Sequence, residues 1–378
     1  MSNSDRQSLV YVVNRVSQDD SQHFVHIPNL LGRLGEHGWD VRLVSERGGK
    51  GDDEIGGIPV TYLSEEGRWS RIPALLRTLV GARRQGNRLV FVRISKSAAL
   101  VAGLAGRLFG WKTLYWLCGA VEDYNLREKG MRGRIEIAFQ WLLFRIVDHL
   151  VTGPETMNRY YRDYYGLAER KVVTLYNDVE TASDGAGSAK RREEGSLRLL
   201  MVHRYSPVRE TLRWFGPLLA MLQRRRTEGQ EIRFDIVGGG PELDDMKRVA
   251  RNYDLDLHFH GVMPNREIDP YYDAADLFVM PSYREGFPRV AIEAMARSLP
   301  LVATDAGGTR DLFGPLQEPY CIDRDDVEGF TEATEKLIDS ADLRAALARE
   351  NFEQSRRFST PAVARQYDRE FRRILAGR

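Results

Sequence analysis

The stretch DLFVMPSYREGFPRVAIEAMARSLPLVATDAGG, residues 276 to 308, contains the unit from which the fold is built. A short apolar run, DLFVMPS, is followed by a polar loop, a proline-started amphipathic segment and a second apolar run, PLVATDAG. Apolar runs of this length favour buried strands, and proline suits the first turn of a helix. The stretch therefore predicts a strand, a helix and a second strand, the repeating unit of a parallel sheet.

The same alternation extends over the whole chain, where helical patterns such as residues 24–37 and 72–85 separate short apolar runs. We expect an α/β protein with two doubly wound parallel-sheet domains facing a cleft, with ligands at the carboxyl ends of the strands. The predicted strands are 9–16, 40–46, 59–63, 88–94, 112–119, 149–153 and 172–177 in the first half, and 197–204, 232–240, 257–263, 276–282 and 300–307 in the second.

A change in composition separates the two halves. Residues 180–196, ETASDGAGSAKRREEGS, are small or charged and have almost nothing to bury, as is typical of a linker. We therefore predict an N-terminal domain over 1–179 and a C-terminal domain over 197–360, in keeping with a length of 378 residues.

Composition is that of an ordinary globular protein, with 42% hydrophobic and 29% charged residues. The cysteines, Cys118 and Cys321, lie in different halves without metal-ligand spacing, which fits a reducing compartment and argues against a disulfide framework. No run approaches the roughly 18 apolar residues of a membrane helix, and the polar N-terminus has no signal-peptide pattern. We expect a cytoplasmic protein.

A basic window interrupts the otherwise balanced charge. Residues 68–145 contain 15 basic and 4 acidic residues, most of the basic ones arginine. Such a surface could meet anionic lipid headgroups or a phosphorylated acceptor, which predicts peripheral contact with the inner face of a membrane. Solvated outer helix faces are the competing interpretation. No recognisable nucleic-acid-binding module frames the window, so no nucleic-acid partner is expected.

Two features of the second half suit phosphate. In IRFDIVGGGPEL, residues 232–243, Gly239 and Gly240 follow a strand and precede a helix, where the backbone can approach a ligand and the helix start favours anions. In HRYSPVRETL, residues 203–212, Arg204 and Arg209 follow the preceding strand and could hold a diphosphate by charge-assisted hydrogen bonds. Exposed loop arginines and an ordinary glycine turn are the alternatives.

Two carboxylates of the opening stretch suit hydroxyl groups. Glu285 lies in the loop after the strand and Glu293 about one and a half turns into the helix, within about 10 Å along the axis. Both could reach one extended ligand, because helical side chains lean toward the N-terminus of the helix. Hydroxyls beside phosphates describe a nucleotide sugar.

Residues 276–308, together with FDIVGGGPELDDM, FHGVMP and YYDAAD, resemble the donor domain of family 4 of the retaining glycosyltransferases. The family has the GT-B fold of two Rossmann-like domains and carries an EX7E motif. The resemblance implies an N-terminal acceptor-binding domain, a C-terminal donor-binding domain and a final helix, residues 361–378, that crosses back to the first domain.

The resemblance also assigns roles to individual residues. It implies that Glu285 contacts the hydroxyls of the donor sugar and Glu293 the ribose, and that Arg204 lies at the diphosphate with Arg209 in place of the usual lysine. Backbone recognition of the base is expected around Val262. Backbone amides around Phe287 to Val290 are expected to meet the sugar and phosphates, and the donor-binding residues of this segment are Phe287, Pro288, Arg289 and Val290.

Some positions depart from the family pattern. Glu210 replaces a glycine, and NRVSQDDSQHF, residues 14–24, replaces a glycine-rich loop. On the acceptor side, Cys118 stands where many members have a histidine. Asp123 or Glu122 is a candidate for the nearby polar group; the competing interpretation is that both belong to an exposed acidic turn.

The function that the resemblance implies is metal-independent transfer of a sugar, of the hexosyltransferase type, with retention and without a cofactor. The acceptor would be a glycan, a lipid-linked or a small molecule. Two alternatives are a sugar-nucleotide epimerase of the same fold and a non-catalytic nucleotide-sugar-binding partner in a glycan-assembly complex.

Overall fold

The computed structural model describes residues 7–16, 26–49, 51–63, 67–120, 122–180 and 196–377. The chain divides into two compact units, the first formed by residues 1–118, 122–178 and 360–378 and the second by residues 119–121 and 179–359. Within the described ranges, no helix has both the length and the apolar character needed to cross a membrane.

The first unit is built on a mostly parallel sheet. Its strands are β1 (Gln7–Val13), β2 (Trp39–Ser45), β3 (Gly51–Ile55), β4 (Ile58–Tyr62), β5 (Leu89–Arg93), β6 (Lys112–Trp116), β7 (His149–Thr152) and β8 (Val172–Thr174). They lie in the order β3-β4-β2-β1-β5-β6-β7-β8, and β3 runs antiparallel to β4. Its helices include α1 (Ile27–Glu36), α2 (Arg68–Arg84), α3 (Lys96–Phe109), α4 (Glu122–Lys129), α5 (Met131–Ile146) and α6 (Glu155–Tyr165).

The second unit has a parallel sheet in the order β11-β10-β9-β12-β13-β14. Its strands are β9 (Ser196–Arg204), β10 (Glu231–Gly239), β11 (Asp256–Gly261), β12 (Leu277–Met280), β13 (Leu301–Thr304) and β14 (Cys321–Ile322). Its helices include α7 (Leu212–Thr227), α8 (Leu243–Ala250), α9 (Asn265–Ala274), α10 (Arg289–Ala296), α11 (Val327–Asp339) and α12 (Ala341–Ser355).

The last helix, α13 (Thr360–Leu375), belongs to the first unit. Alternate residues of β1 point to opposite faces of the sheet, with Leu9 and Tyr11 in one core and Val10 in the other. Tyr367 and Phe371 of α13 pack in the first of these cores. The end of the sequence thus completes the hydrophobic core that begins with β1.

The structure confirms two units with mostly parallel sheets and differs from the sequence prediction in detail. β3, GDDEI, was not predicted, because an edge strand exposed on both faces shows no apolar alternation. The helix after Gly240 begins at Leu243 rather than Pro241, and Pro288 precedes α10 as its N-cap. Most of the predicted linker, residues 181–195, and residues 17–24 of the substituted loop lie outside the described residues.

Candidate active site

The second sheet has a topological switch point at β9. β10 lies on one side of β9 and β12 on the other, so the segments that follow β9 and β12 leave the same edge toward opposite faces of the sheet. Open α/β sheets bind their ligands outside such a point, at the carboxyl ends of the strands. Arg204, the last residue of β9, pairs in register with Gly239 at the end of β10, which puts both predicted donor residues at this edge.

Arg209 and Glu285 meet at the switch point. Nη1 of Arg209 donates a hydrogen bond to Oε1 of Glu285, forming an ion pair between the segments after β9 and β12. The backbone supports this contact, because the amide of Tyr283 donates to the carbonyl oxygen of Arg209 at 2.7 Å. Glu285 is 7% exposed, whereas the Arg209 side chain is about a quarter exposed. The guanidinium therefore joins a buried carboxylate to the open edge of the sheet.

His203 is a third member of this cluster and was given no role in the sequence analysis. It is buried next to the end of β9, and Nη1 of Arg209 lies 3.2 Å from its Nδ1. Burial and the charge of Arg209 hold the pKa of His203 well below its usual value. A neutral imidazole can accept from the guanidinium, which always donates. The sequence signal was the position of His203 beside Arg204 at a strand end.

Burial has the largest effect on the pKa of Glu285. Loss of solvent raises the pKa of the Glu285 carboxyl, while the positive charge of Arg209 and a hydrogen bond from Ser282 oppose that rise. The ion pair therefore favours the ionised form of a carboxyl that burial alone would favour in its protonated form. An ionised Glu285 is an acceptor for hydroxyl groups, and Arg209 is what keeps that state accessible.

Glu210 adopts a backbone conformation that favours glycine. Its φ is 51°, in the left-handed region where a side chain is strained, which gives a physical reason for the glycine of the family pattern. The Glu210 carboxylate accepts from Nη1 of Arg284 at 2.8 Å. The carboxylate that replaces this glycine is therefore paired with an arginine.

Glycines allow the loops of the site to approach one another closely. A Cβ on Gly240, whose φ is 148°, would lie 2.0 Å from the carbonyl oxygen of Tyr205, and one on Gly307 would lie 2.0 Å from that of Glu285. Both contacts are with backbone and leave no room for a side chain. Gly239 lies against Val262, whose side chain is mostly exposed.

α10 carries the second predicted carboxylate. Glu293 accepts a hydrogen bond from Oη of Tyr272 at 3.2 Å and lies 3.4 Å from Nη2 of Arg289, one turn earlier. Pro288 caps α10 without a side-chain hydrogen bond to its first turn, and Phe287 packs edge-on against Phe358. The amides of Arg289 and Val290 thus begin a helix in a position suited to an anionic ligand.

The residues expected on the acceptor side belong to the first unit. Cys118 is half-buried and lies beyond the end of β6. Asp123 lies in α4, and its side chain is outside the described residues. Glu122 is buried and accepts hydrogen bonds from Tyr160 at 2.7 Å, Tyr165 at 2.7 Å and Gln140 at 3.1 Å, so it stabilises the packing of α4, α5 and α6.

Comparison with known proteins finds a family match over most of the second unit. Residues 188–354 match the model of the family described as Glycosyl transferases group 1. An uncharacterized glycosyltransferase of Haemophilus influenzae is 23% identical over 322 residues, covering 83% of this chain and 86% of that protein.

Solved structures share the fold over nearly the full length. Sucrose-phosphate synthase from Thermosynechococcus elongatus superposes with a TM-score of 0.77 at 17% identity, over 99% of this chain and 100% of that one. Anabaena HepE in complex with UDP-glucose does so with a TM-score of 0.71 at 15% identity, over 97% and 99%. These likenesses confirm the GT-B fold of two Rossmann-like domains. The match to the family model adds a similarity to the glycosyl transferases of group 1 that is confined to residues 188–354.

Proposed function

We propose that the chain transfers a sugar from a nucleoside diphosphate to an acceptor hydroxyl with retention at the anomeric carbon and without a metal ion. The observation that carries the proposal is the cluster of Arg209, Glu285 and His203 at the switch point of the second sheet. A solved neighbour of the same fold is a complex with UDP-glucose, which makes uridine diphosphate sugars the first donors to test.

Different residues of the site would bind different parts of the donor. Glu285 accepts hydrogen bonds from the sugar hydroxyls, and Glu293 accepts them from the ribose. Arg204, Arg209 and the first turn of α10 stabilise the diphosphate. Arg209 has five N–H donors, so it can hold Glu285 and still donate to a phosphate oxygen. His203 positions Arg209 by accepting from it.

In the reaction, the bond between the anomeric carbon and the diphosphate oxygen breaks, and a bond to the acceptor oxygen forms on the same face of the sugar. The acceptor's proton passes to the departing diphosphate. Negative charge grows on the leaving group, and preorganised positive charge at Arg204 and Arg209 stabilises it at that moment. The acceptor would be a glycan, a lipid-linked or a small molecule that binds the first unit.

The test is Glu285→Ala, assayed with UDP-glucose and a panel of hydroxyl acceptors. We expect kcat/KM to fall by about 10²-fold or more, with product from the unaltered chain retaining the donor's anomeric configuration in its NMR spectrum. Glu335→Ala, which removes a carboxylate ion-paired on α11, is the matched control and should transfer normally.

Four results would contradict the proposal. Normal transfer by Glu285→Ala would remove the role given to that residue, and an inverted product would remove the retaining mechanism. Isomerised donor in the absence of acceptor would indicate the sugar-nucleotide epimerase. Donor binding without turnover would indicate the non-catalytic binding partner.

A further inference from the structure

α3 and α5 of the first unit expose large apolar side chains to solvent. Leu108 is 81% exposed, Met131 68% and Ile135 63%. Single exposed apolar residues are ordinary, but a contiguous group marks an interaction surface. We call this surface the α3–α5 face, formed by Leu104, Leu108 and Phe109 of α3 and Met131, Ile135, Trp141 and Leu142 of α5.

The two helices pack in the same core on one side of the first sheet, so their outward sides face the same direction. A Cβ on Gly103 would lie 2.8 Å from Cγ2 of Ile146, which shows how closely α3 and α5 pack. Nη2 of Arg107 also donates to the carbonyl oxygen of Arg145 at 2.7 Å. Leu104 and Leu108 are one helical turn apart, as are Met131 and Ile135, so each pair lies on one side of its helix.

The charge of the two helices themselves is mostly positive. α3 has no acidic residue, and the single acid of α5, Glu136, is ion-paired with Lys129 at 3.0 Å. The guanidinium of Arg145 lies 3.3 Å from the centroid of the Trp141 ring. The exposed arginines of the two helices are Arg107, Arg132, Arg134 and Arg145.

The basic border continues beyond α5 into a cavity of about 580 Å³. Its acidic lining residue is Asp148, which lies 3.0 Å from Lys112 as an ion pair. Burial, together with the nearby charges of Arg107 and Arg145, lowers the pKa of Lys171 to about 8. The basic lining residues are Lys112, Arg145, Arg170, Lys171 and Arg373. An anion near this cavity would therefore be stabilised by excess positive charge.

We propose that the α3–α5 face binds the surface of a bilayer that contains anionic phospholipids. The apolar side chains enter the interfacial region, and the arginines meet the lipid phosphates. A self-associated dimer through the same face would bring arginines of two copies together, whereas an anionic bilayer supplies the missing opposite charge. The proposal concerns the first unit alone and does not rest on the proposed transfer reaction.

The experiment is flotation of the full chain with vesicles of phosphatidylcholine alone or mixed equally with phosphatidylglycerol. We expect binding to the mixed vesicles, weak binding to phosphatidylcholine, and loss of the difference at high salt, since salt screens surface charge. Leu108→Glu with Ile135→Glu should weaken binding at least about tenfold, because both charges would enter the bilayer interface. Arg132→Gln with Arg134→Gln should weaken it by about tenfold or more.

The matched control is Arg33→Gln with Arg365→Gln, which neutralises two exposed arginines of α1 and α13. These helices pack in the core on the other side of the first sheet, so the variant should bind like the unaltered chain. All of the changed side chains are exposed, so folding is preserved, and circular dichroism checks it. Equal binding by the Leu108→Glu, Ile135→Glu variant, equal binding to both vesicle types, or absence of binding would overturn the proposal. So would a dimer in solution that this variant disrupts, since the face would then belong to a second copy. Because the assay uses no sugar donor, these outcomes are independent of the transfer reaction.

Discussion

Each unit has an arginine near the carboxyl edge of its sheet, and the two arginines have different surroundings. Arg93 ends β5 and is 2% exposed, with its guanidinium 4.1 Å from the centroid of the Trp116 ring and hydrogen-bonded to Tyr11 and Asn177. Arg209 follows β9, remains partly exposed and pairs with Glu285. The first arginine is enclosed by its own core, whereas the second is left partly open to a ligand.

The difference shows that position at a strand's end does not by itself make a charged residue functional. Tyr11, Phe91 and Tyr367 form an aromatic layer beside Arg93, and Tyr367 comes from α13. Arg93 therefore helps to hold the last helix on the first sheet. Arg209 instead has N–H groups that its buried partners do not use up, as a ligand-binding residue requires.

The largest effect that separates the two arginines is on stability. Arg93→Ala would leave buried polar groups unpaired and should lower the free energy of unfolding of the first unit by about 3–5 kcal/mol. Hydrogen exchange in increasing urea can follow each unit separately. Arg88→Ala, at the exposed start of the same strand, should change stability by less than about 0.5 kcal/mol. Equal losses in both variants would show that Arg93 has no special structural role.

A smaller effect, on catalysis, is expected at the other arginine. Arg209→Ala should lower kcat/KM by about 10²–10³-fold, because one preorganised donor to the leaving group is lost. It should also move the acidic limb of the pH profile to higher pH, because Arg209 is what lowers the pKa of Glu285 against burial. Transfer rates measured over a range of pH test both.

Stability should respond to pH with the matching sign. Burial raises the pKa of Glu285 in the folded protein above its value in the unfolded chain, so the folded protein binds the carboxyl proton more tightly. The free energy of unfolding therefore falls as pH rises through the range between these two pKa values. Arg209→Ala should widen this pH range, because it removes the charge that opposes the rise in the pKa of Glu285. The control for both pH effects is Arg226→Ala, which removes an exposed arginine paired with Asp254 on the second unit and should leave the acidic limb of the pH–rate profile unchanged. If Arg209→Ala has the same pH–rate profile as the unaltered chain, the ion pair with Arg209 does not control the pKa of Glu285.

The smallest effect concerns the loop that carries Arg209. Glu210→Gly and Glu210→Ala both remove the pair with Arg284, but glycine tolerates a φ of 51° without strain. We expect the glycine variant to be more stable by about 1 kcal/mol, as measured by thermal unfolding. The same two changes at Glu228, whose φ is −82°, should show the opposite order. If alanine is favoured at both positions, backbone strain does not explain the glycine of the family pattern.

The sequence was informative where one local segment determines the structure. DLFVMPS, the proline before α10 and the glycines at the end of β10 each carry a local signal, so the strand, helix and turn were predictable. The pair between Arg209 and Glu285 joins residues 76 positions apart, and no local pattern encodes it. The state of His203 depends on burial by distant segments. The strand β3 was missed because its residues are acidic and exposed, and it is held by pairing with β4 rather than by a buried face.

The position of α13 has a consequence for how the chain folds during synthesis. The first unit needs Tyr367 and Phe371 to fill its core, yet the ribosome makes them only after the whole second unit. At about 5–20 residues per second, the stretch from Asp178 to Thr360 takes on the order of 10 s or more. The second unit, nearly continuous in sequence, can fold in that interval. During the same interval the core that contains Leu9 and Tyr11 of β1 lacks the side chains of α13. The half of the protein that is made first is therefore the half that finishes folding last.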